Sequence, residues 1–313
     1  MSKPLLCPAN LLKKDMTGQR VVITGANSGI GWVTARQLAK QGAQVTMACR
    51  RLEEGQTRAR EISAEYQSAD LEVRALDLSS LSSVRAFAEA YLRDHDELHV
   101  LINNAGVMNT KEGKTEDGFE TQIGVNHLGH FLLVELLKDR LINSAPSRVV
   151  VLSSCYHDKA MGHEGIIDLD DLHFEKRKYN GWTAYAQSKL ANLLHAKSLA
   201  HRLEGDGVTV VSVHPGWVRT NLGRHTAPSF VQNILLRPVF SLMGQIDTWQ
   251  GAQTSLYAAL SDELESGAYY SQTGVYRDKS KNAGGWPLIS PNPNAHDDAL
   301  AEALYEHSLS LVS

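Results

Sequence analysis

Tyr185 and Lys189 stand four residues apart in the stretch from Thr183 to about Leu203, where Leu190, Leu193, Leu194 and Leu199 recur at helical spacing. On a helix that separation puts both side chains on one face. A phenol titrates ordinarily near about 10, and a neighbouring ammonium favours the phenolate. A tyrosine brought toward neutrality in this way could exchange a proton with an alcohol oxygen while hydride moves at carbon. Tyr-x-x-x-Lys alone is a frequent chance pair, and its plain reading is a surface contact. It gains weight because the apolar run before it, Arg148 to Leu152, ends in Ser153-Ser154.

A second stretch of chemical interest lies near the N-terminus. Val21-Val22-Ile23-Thr24 is followed by Gly25-Ala26-Asn27-Ser28-Gly29-Ile30-Gly31 and then by the helical pattern Val33, Ala35, Leu38, Ala39. Strand, glycine-punctuated turn and helix in that order can hold a dinucleotide pyrophosphate at the helix N-terminus. Gly25 permits the sharp exit from the strand, while Gly29 and Gly31 let backbone approach phosphate with no Cβ between. The spacing is G-x-x-x-G-x-G, not the general G-x-G-x-x-G. Taken alone it reads equally well as an ordinary glycine-rich turn.

The elements that must position these residues alternate along the chain. Strands are expected at Val21–Thr24, Ala43–Cys49, Leu71–Leu76, Val100–Ile102, Arg148–Leu152 and Val208–Val213, with a last one inside Gly267–Tyr276. Helical patterns lie between them: Glu53–Tyr66, a segment capped by Ser80 or Ser82, about Phe119–Leu141, and Thr183–Leu203. Two short helices are expected in Ala227–Trp249, another at Gln253–Leu260, and an amphipathic one at the C-terminus. Such alternation predicts an α/β fold: a Rossmann-like, doubly wound parallel sheet with helices on both faces. Ligands in such sheets gather at the carboxyl ends of the strands. Thr24, Arg50, Asp77, Asn103 and Ser154 all fall there. The expected organisation is a lead-in at 1–18, one catalytic unit at 19–276 with a substrate lid at about 224–249, and a loop and helix at 277–313 packed on the same unit.

Composition excludes several function classes. The 313 residues are 42% hydrophobic and 21% charged, a soluble globular profile. A net charge of −4 without a basic block gives no footprint for nucleic acid. Cys7, Cys49 and Cys155 are dispersed and odd in number, which fits a reducing compartment such as the cytoplasm. No apolar run reaches the roughly 18 residues of a membrane span.

Together these motifs resemble the short-chain dehydrogenase/reductase family: Thr24–Gly31 (TGANSGIG), Asn103–Gly106 (NNAG), Asn126, Ser154, Tyr185–Lys189 (YAQSK) and Pro215-Gly216. Within it, Gly124–Leu133 (GVNHLGHFLL), Ser188–Leu194, Val213–Gly216 and Gly251–Ser255 are similar to the retinol dehydrogenase branch. The resemblance implies that Tyr185 is the general acid/base and that Lys189 holds the nicotinamide ribose and depresses the tyrosine pKa. Ser154 would bind the substrate carbonyl, and Asn126 would interrupt its helix and anchor a relay water. It further implies cofactor contacts at Gly25, Asn27, Ser28, Gly29, Ile30, Gly31, Asp77, Leu78, Asn103, Ala105 and Gly106. Pro215, Gly216, Val218 and Thr220 would meet the nicotinamide end. Dimer contacts are expected along Phe119–Leu141 and Thr183–Leu203.

Cofactor choice follows from the end of the second strand. A carboxylate there would bind a ribose 2′-hydroxyl, but the chain has Cys49-Arg50-Arg51 and no acid before Glu53. The planar arginine fork suits a 2′-phosphate. NADP(H) is therefore expected, with Arg50 the main contact and Arg51 either a second contact or a solvated helix-start residue. His127 and His130 lack a third ligand for a metal, His214 reads as structural, and nothing places a base beside Cys155. Ile234 to Met243 reads as a lid, as core packing or as a membrane-surface helix.

The expected function is NADP(H)-dependent interconversion of an alcohol and a carbonyl on a small hydrophobic substrate, retinal/retinol-like first, with peripheral membrane contact left open. A steroid or xenobiotic carbonyl reductase and a non-catalytic NADPH-binding sensor are the alternatives.

Overall fold

The computed structural model describes residues 3–219 and 245–313. Thr220 and most of the expected lid lie outside the described residues. The main sheet has seven parallel strands in the order β3-β2-β1-β4-β5-β8-β9. They are β1 (Arg20–Thr24), β2 (Gln44–Cys49), β3 (Asp70–Ala75), β4 (Val100–Asn103), β5 (Ser147–Leu152), β8 (Val208–His214) and β9 (Tyr269–Ser271). β6 (Lys159–Ala160) and β7 (His163–Glu164) form a small antiparallel hairpin on the excursion after β5. Central strands such as β4 are buried throughout, as a parallel sheet covered on both faces requires.

Alternate side chains feed two separate cores. Val21, Ile23, Val45, Met47, Val150 and Val211 meet helices α1 (Gly29–Lys40) and α7 (Thr248–Leu260). Val22, Ala48, Leu101, Val149 and Val210 face α3 (Leu81–Asp94), α5 (Gly129–Asn143) and α6 (Gly181–Arg202). α2 (Leu52–Glu65) sends Ile62 into the first core. The order reverses between β1 and β4, which opens a crevice above their carboxyl ends.

The helix expected from Phe119 is interrupted. A single turn, α4 (Thr121–Ile123), is capped by Glu120 and leads through a π-turn, Gly124–Leu128, into α5. Asn126 sits in that wide turn. Ser80, not Ser82, caps α3 by accepting from the Ser83 amide. The lead-in is tied down: the Leu5 amide donates to Gln272 Oε1 and the Gln272 side-chain amide donates to the Leu5 carbonyl, while the Cys7 amide donates to Gln253.

The terminal helix α8 (Asp298–Val312) lies across α6 and α5. Tyr305 meets the Phe131 ring at 5.0 Å and donates to Glu135 at 2.6 Å, and Ser308 bonds His127. Part of the surface on which dimer contacts were expected is thus occupied by the chain's own C-terminus. No helix among the described residues is long and apolar enough to cross a membrane.

Candidate active site

A cavity of about 470 Å³ opens at the switch point and runs from the glycine loop to the Tyr185–Lys189 pair. Its floor is Thr24, Gly25, Asn27, Ser28, Gly29, Ile30 and Gly31. Gly25 has φ +65° and Gly29 φ +57°, conformations that favour glycine. A Cβ on Gly31 would lie 2.6 Å from the Gly25 carbonyl oxygen, so the loop is a cradle only glycine can close. Ser28 is the N-cap of α1 but makes no side-chain capping bond, which leaves first-turn amides for an anion. These features fit a dinucleotide pyrophosphate.

Further along, Arg50, Asp77, Leu78, Ala105, Gly106 and Pro215 also line the cavity. Asp77 is held in place by accepting from the Ser79 amide and hydroxyl. Arg51 lines it too, but its guanidinium pairs with Glu54 at 2.7 Å, and Glu54 also receives the Asn27 side-chain amide.

At the other end the residues of the expected catalytic set come together. Ser153 donates to the Lys189 carbonyl at 2.6 Å, which ties β5 to α6 and leaves Ser154 as the serine beside the Tyr185 phenol. Lys189 Nζ donates to the Leu152 carbonyl at 2.9 Å and stands 5.9 Å from the Tyr185 ring centroid. Asn126 is fully buried. Its Oδ1 accepts from the Val107 amide, and its Nδ2 donates to the Val107 carbonyl and Ser188 hydroxyl. Ser154 is backed by His157, whose Nδ1 lies 2.6 Å from the Ser154 carbonyl.

The expected depression of the tyrosine pKa is not found. Burial pushes the Tyr185 phenol up, opposed by its hydrogen bond with Ser154. Burial also pulls the Lys189 ammonium down to about 7. The phenolate's desolvation outweighs a cation that is itself desolvated and turned toward a backbone carbonyl.

Other residues expected at the cofactor do not line this cavity. Asn103 is buried at the end of β4 with both side-chain polar atoms unpartnered, and its neighbour Asn104 lines the cavity instead. Val218 bridges to Ile246 and packs on Gly251, while Gly216 faces Ile246 and Gln272. Asn104, Ser79 and the loop residues Lys114, Thr115 and Glu116, none of them among the expected contacts, also line the cavity. Asn104 was signalled by its place in NNAG. The 114–116 loop carries no motif, and only folding brings it over the crevice.

A parallel sheet with its switch-point cavity, a glycine cradle and a serine–tyrosine–lysine cluster defines a nucleotide-dependent oxidoreductase. The sequence matches the family described as short chain dehydrogenase over residues 19–165. It is 44% identical to retinol dehydrogenase 13 of Homo sapiens over 308 residues, covering 98% of this chain and 87% of that protein. It is 49% identical to retinol dehydrogenase 12 of Bos taurus over 300 residues, covering 95% and 87%. A crystal structure of an uncharacterized protein from Mycobacterium Paratuberculosis superposes with TM-score 0.75 at 38% identity, covering 96% of this chain and 95% of that one. The chain belongs to the short-chain dehydrogenase/reductase family and is similar to its retinol dehydrogenase branch. It is an oxidoreductase of alcohols and carbonyls that uses a nicotinamide cofactor.

Proposed function

We propose that the chain is an NADP(H)-dependent enzyme that interconverts an alcohol and an aldehyde or ketone on a hydrophobic substrate, with retinal reduction to retinol as the leading reaction. The observation that carries this reading is the single cavity that joins the glycine cradle to the Tyr185–Lys189 pair, with Ser154 beside the phenol. Gly25, Asn27, Ser28, Gly29, Ile30 and Gly31 would hold the pyrophosphate, and Asp77 with Leu78 would flank the adenine. Ala105, Gly106 and Pro215 would line the path toward the nicotinamide. The bound nicotinamide supplies or accepts hydride.

The remaining chemistry belongs to the protein. Ser154 orients the substrate oxygen and Tyr185 passes it a proton. A phenol kept protonated by burial is suited to donate to a developing alkoxide, which favours the reductive direction. Lys189, held by the Leu152 carbonyl beside the Tyr185 ring, would meet the nicotinamide ribose. Asn126 fixes the loop at Val107 and with it the cofactor side of the site. Arg50 stands exposed on the cavity wall where a 2′-phosphate would lie, and Glu54 already neutralises Arg51. Arg50 is therefore the main determinant of NADPH preference.

The test is oxidation of NADPH, and separately NADH, against retinal, medium-chain aldehydes, steroid ketones and small xenobiotic carbonyls. Turnover of retinal with NADPH supports the reading. Activity only on steroids or xenobiotics replaces the substrate, and NADPH binding with no turnover on any carbonyl replaces the enzyme with a sensor.

A further inference from the structure

His130 lies on the first turn of α5, fully buried, one helical turn past Asn126. Its two ring nitrogens face different parts of the site. Nε2 is 2.8 Å from the Thr24 hydroxyl, and Nδ1 is 3.1 Å from the Asn126 carbonyl. Donor counting settles the proton. Thr24 Oγ1 accepts from the Asn104 amide and from the Ala105 amide, both at 2.9 Å, which uses both its lone pairs. Its single hydrogen therefore goes to Nε2. His130 must carry its own hydrogen on Nδ1 and donate it to Asn126.

The bonds close a ring. Thr24 holds one end of the 104–107 loop, Asn126 holds the other through Val107, and His130 joins Asn126 back to Thr24. We propose that His130 is a positioning residue: as the neutral Nδ1–H tautomer it orients the Asn126 carbonyl and locks it to the glycine-loop strand and the cofactor-side loop. Burial, which pulls the His130 imidazole down to about 3, keeps it in the neutral form this requires. The inference rests on Asn126 belonging to the catalytic set.

The test separates the two ends of the ring. His130→Leu removes both bonds and is expected to lower kcat by about 10- to 100-fold, with KM for the carbonyl changed by less than about threefold. His130→Asn puts an amide donor where Nδ1 stands and should recover most of that kcat. His130→Gln, which reaches the Thr24 end instead, should stay close to the leucine variant. Wild-type kcat in the leucine variant, or asparagine no better than glutamine, overturns the proposal. The asparagine–glutamine comparison decides the matter if the leucine variant does not fold. Nitrogen-15 NMR of histidine-labelled wild-type protein reads the tautomer without any turnover. A neutral Nδ1–H signature is expected at His130, and an Nε2–H signature overturns the assignment. If no carbonyl is turned over, the proposed function fails while the NMR result still decides the role of His130.

Discussion

Replacing Lys189 by methionine should stabilise the fold while removing turnover. Lys189 is 5% exposed, and its ammonium donates to the Leu152 carbonyl at 2.9 Å, its one acceptor among the described residues. Burial lowers its pKa from 10.5 to about 7. At about 1.4 kcal/mol per pKa unit, holding this group in place at neutral pH costs at most about 5 kcal/mol. Relaxation around the ammonium trims the gain from an apolar replacement to about 1–3 kcal/mol. Methionine has a similar length, and the Leu152 carbonyl keeps its hydrogen bond from Asn192 Nδ2.

The pH dependence has a definite sign. The folded-state pKa is depressed, so between about 7 and 10.5 the unfolded chain binds the extra proton. Wild-type stability on this account rises with pH across that window. The methionine variant lacks the group, so its advantage is full below about pH 7 and fades toward pH 10.5. Urea denaturation of both proteins, without added cofactor, at about pH 7 and about pH 10 measures the difference. A methionine variant that is less stable at neutral pH, or a gap that does not narrow as pH rises, refutes the reasoning.

Tyr185→Phe should lower kcat by about 10²- to 10⁴-fold, because no hydroxyl remains to carry the proton, while NADPH affinity by fluorescence titration holds. Arg50→Asp should raise KM for NADPH and turn the preference toward NADH; unchanged cofactor ratios would remove Arg50 from the site. Tyr305→Ala should cost about 3–5 kcal/mol in chemical denaturation, since it empties the space between Phe131 and His195 and frees Glu135. Sedimentation of the wild-type protein is expected to give the mass of one chain, because α8 occupies part of the surface of α5 and α6; a stable dimer would contradict this.

Much of the architecture is legible in the linear order of residues because it depends on local periodicity. Short apolar runs at β1, β2, β4, β5 and β8, separated by helical patterns, can be satisfied only by a doubly covered parallel sheet. Motif positions at strand ends then follow from the rule that such sheets bind at their carboxyl edge. Tyr185, Lys189, Ser154 and the glycine loop can therefore be assigned to that edge from the sequence. Which serine is free was not derivable from spacing, since Ser153 and Ser154 differ only in which face of the chain they present. The structure spends Ser153 on the Lys189 carbonyl and turns Ser154 to the tyrosine.

The sequence by itself determined the fold class, the family and the candidate set of reacting side chains, because residue type, order and local spacing carry them. Only the tertiary structure decided their protonation, their partners and their backing. Tyr185 is raised, not lowered, because desolvation depends on every segment packed around it. Asn104 lines the cavity and Asn103 does not, because adjacent residues leaving a strand face opposite sides. In sequence His130 shows only that it lacks the third ligand a metal needs, and it becomes part of the site only when β1, the loop after β4 and α5 converge on its two nitrogens. Those are long-range facts, set by which strands neighbour one another and not by any local pattern.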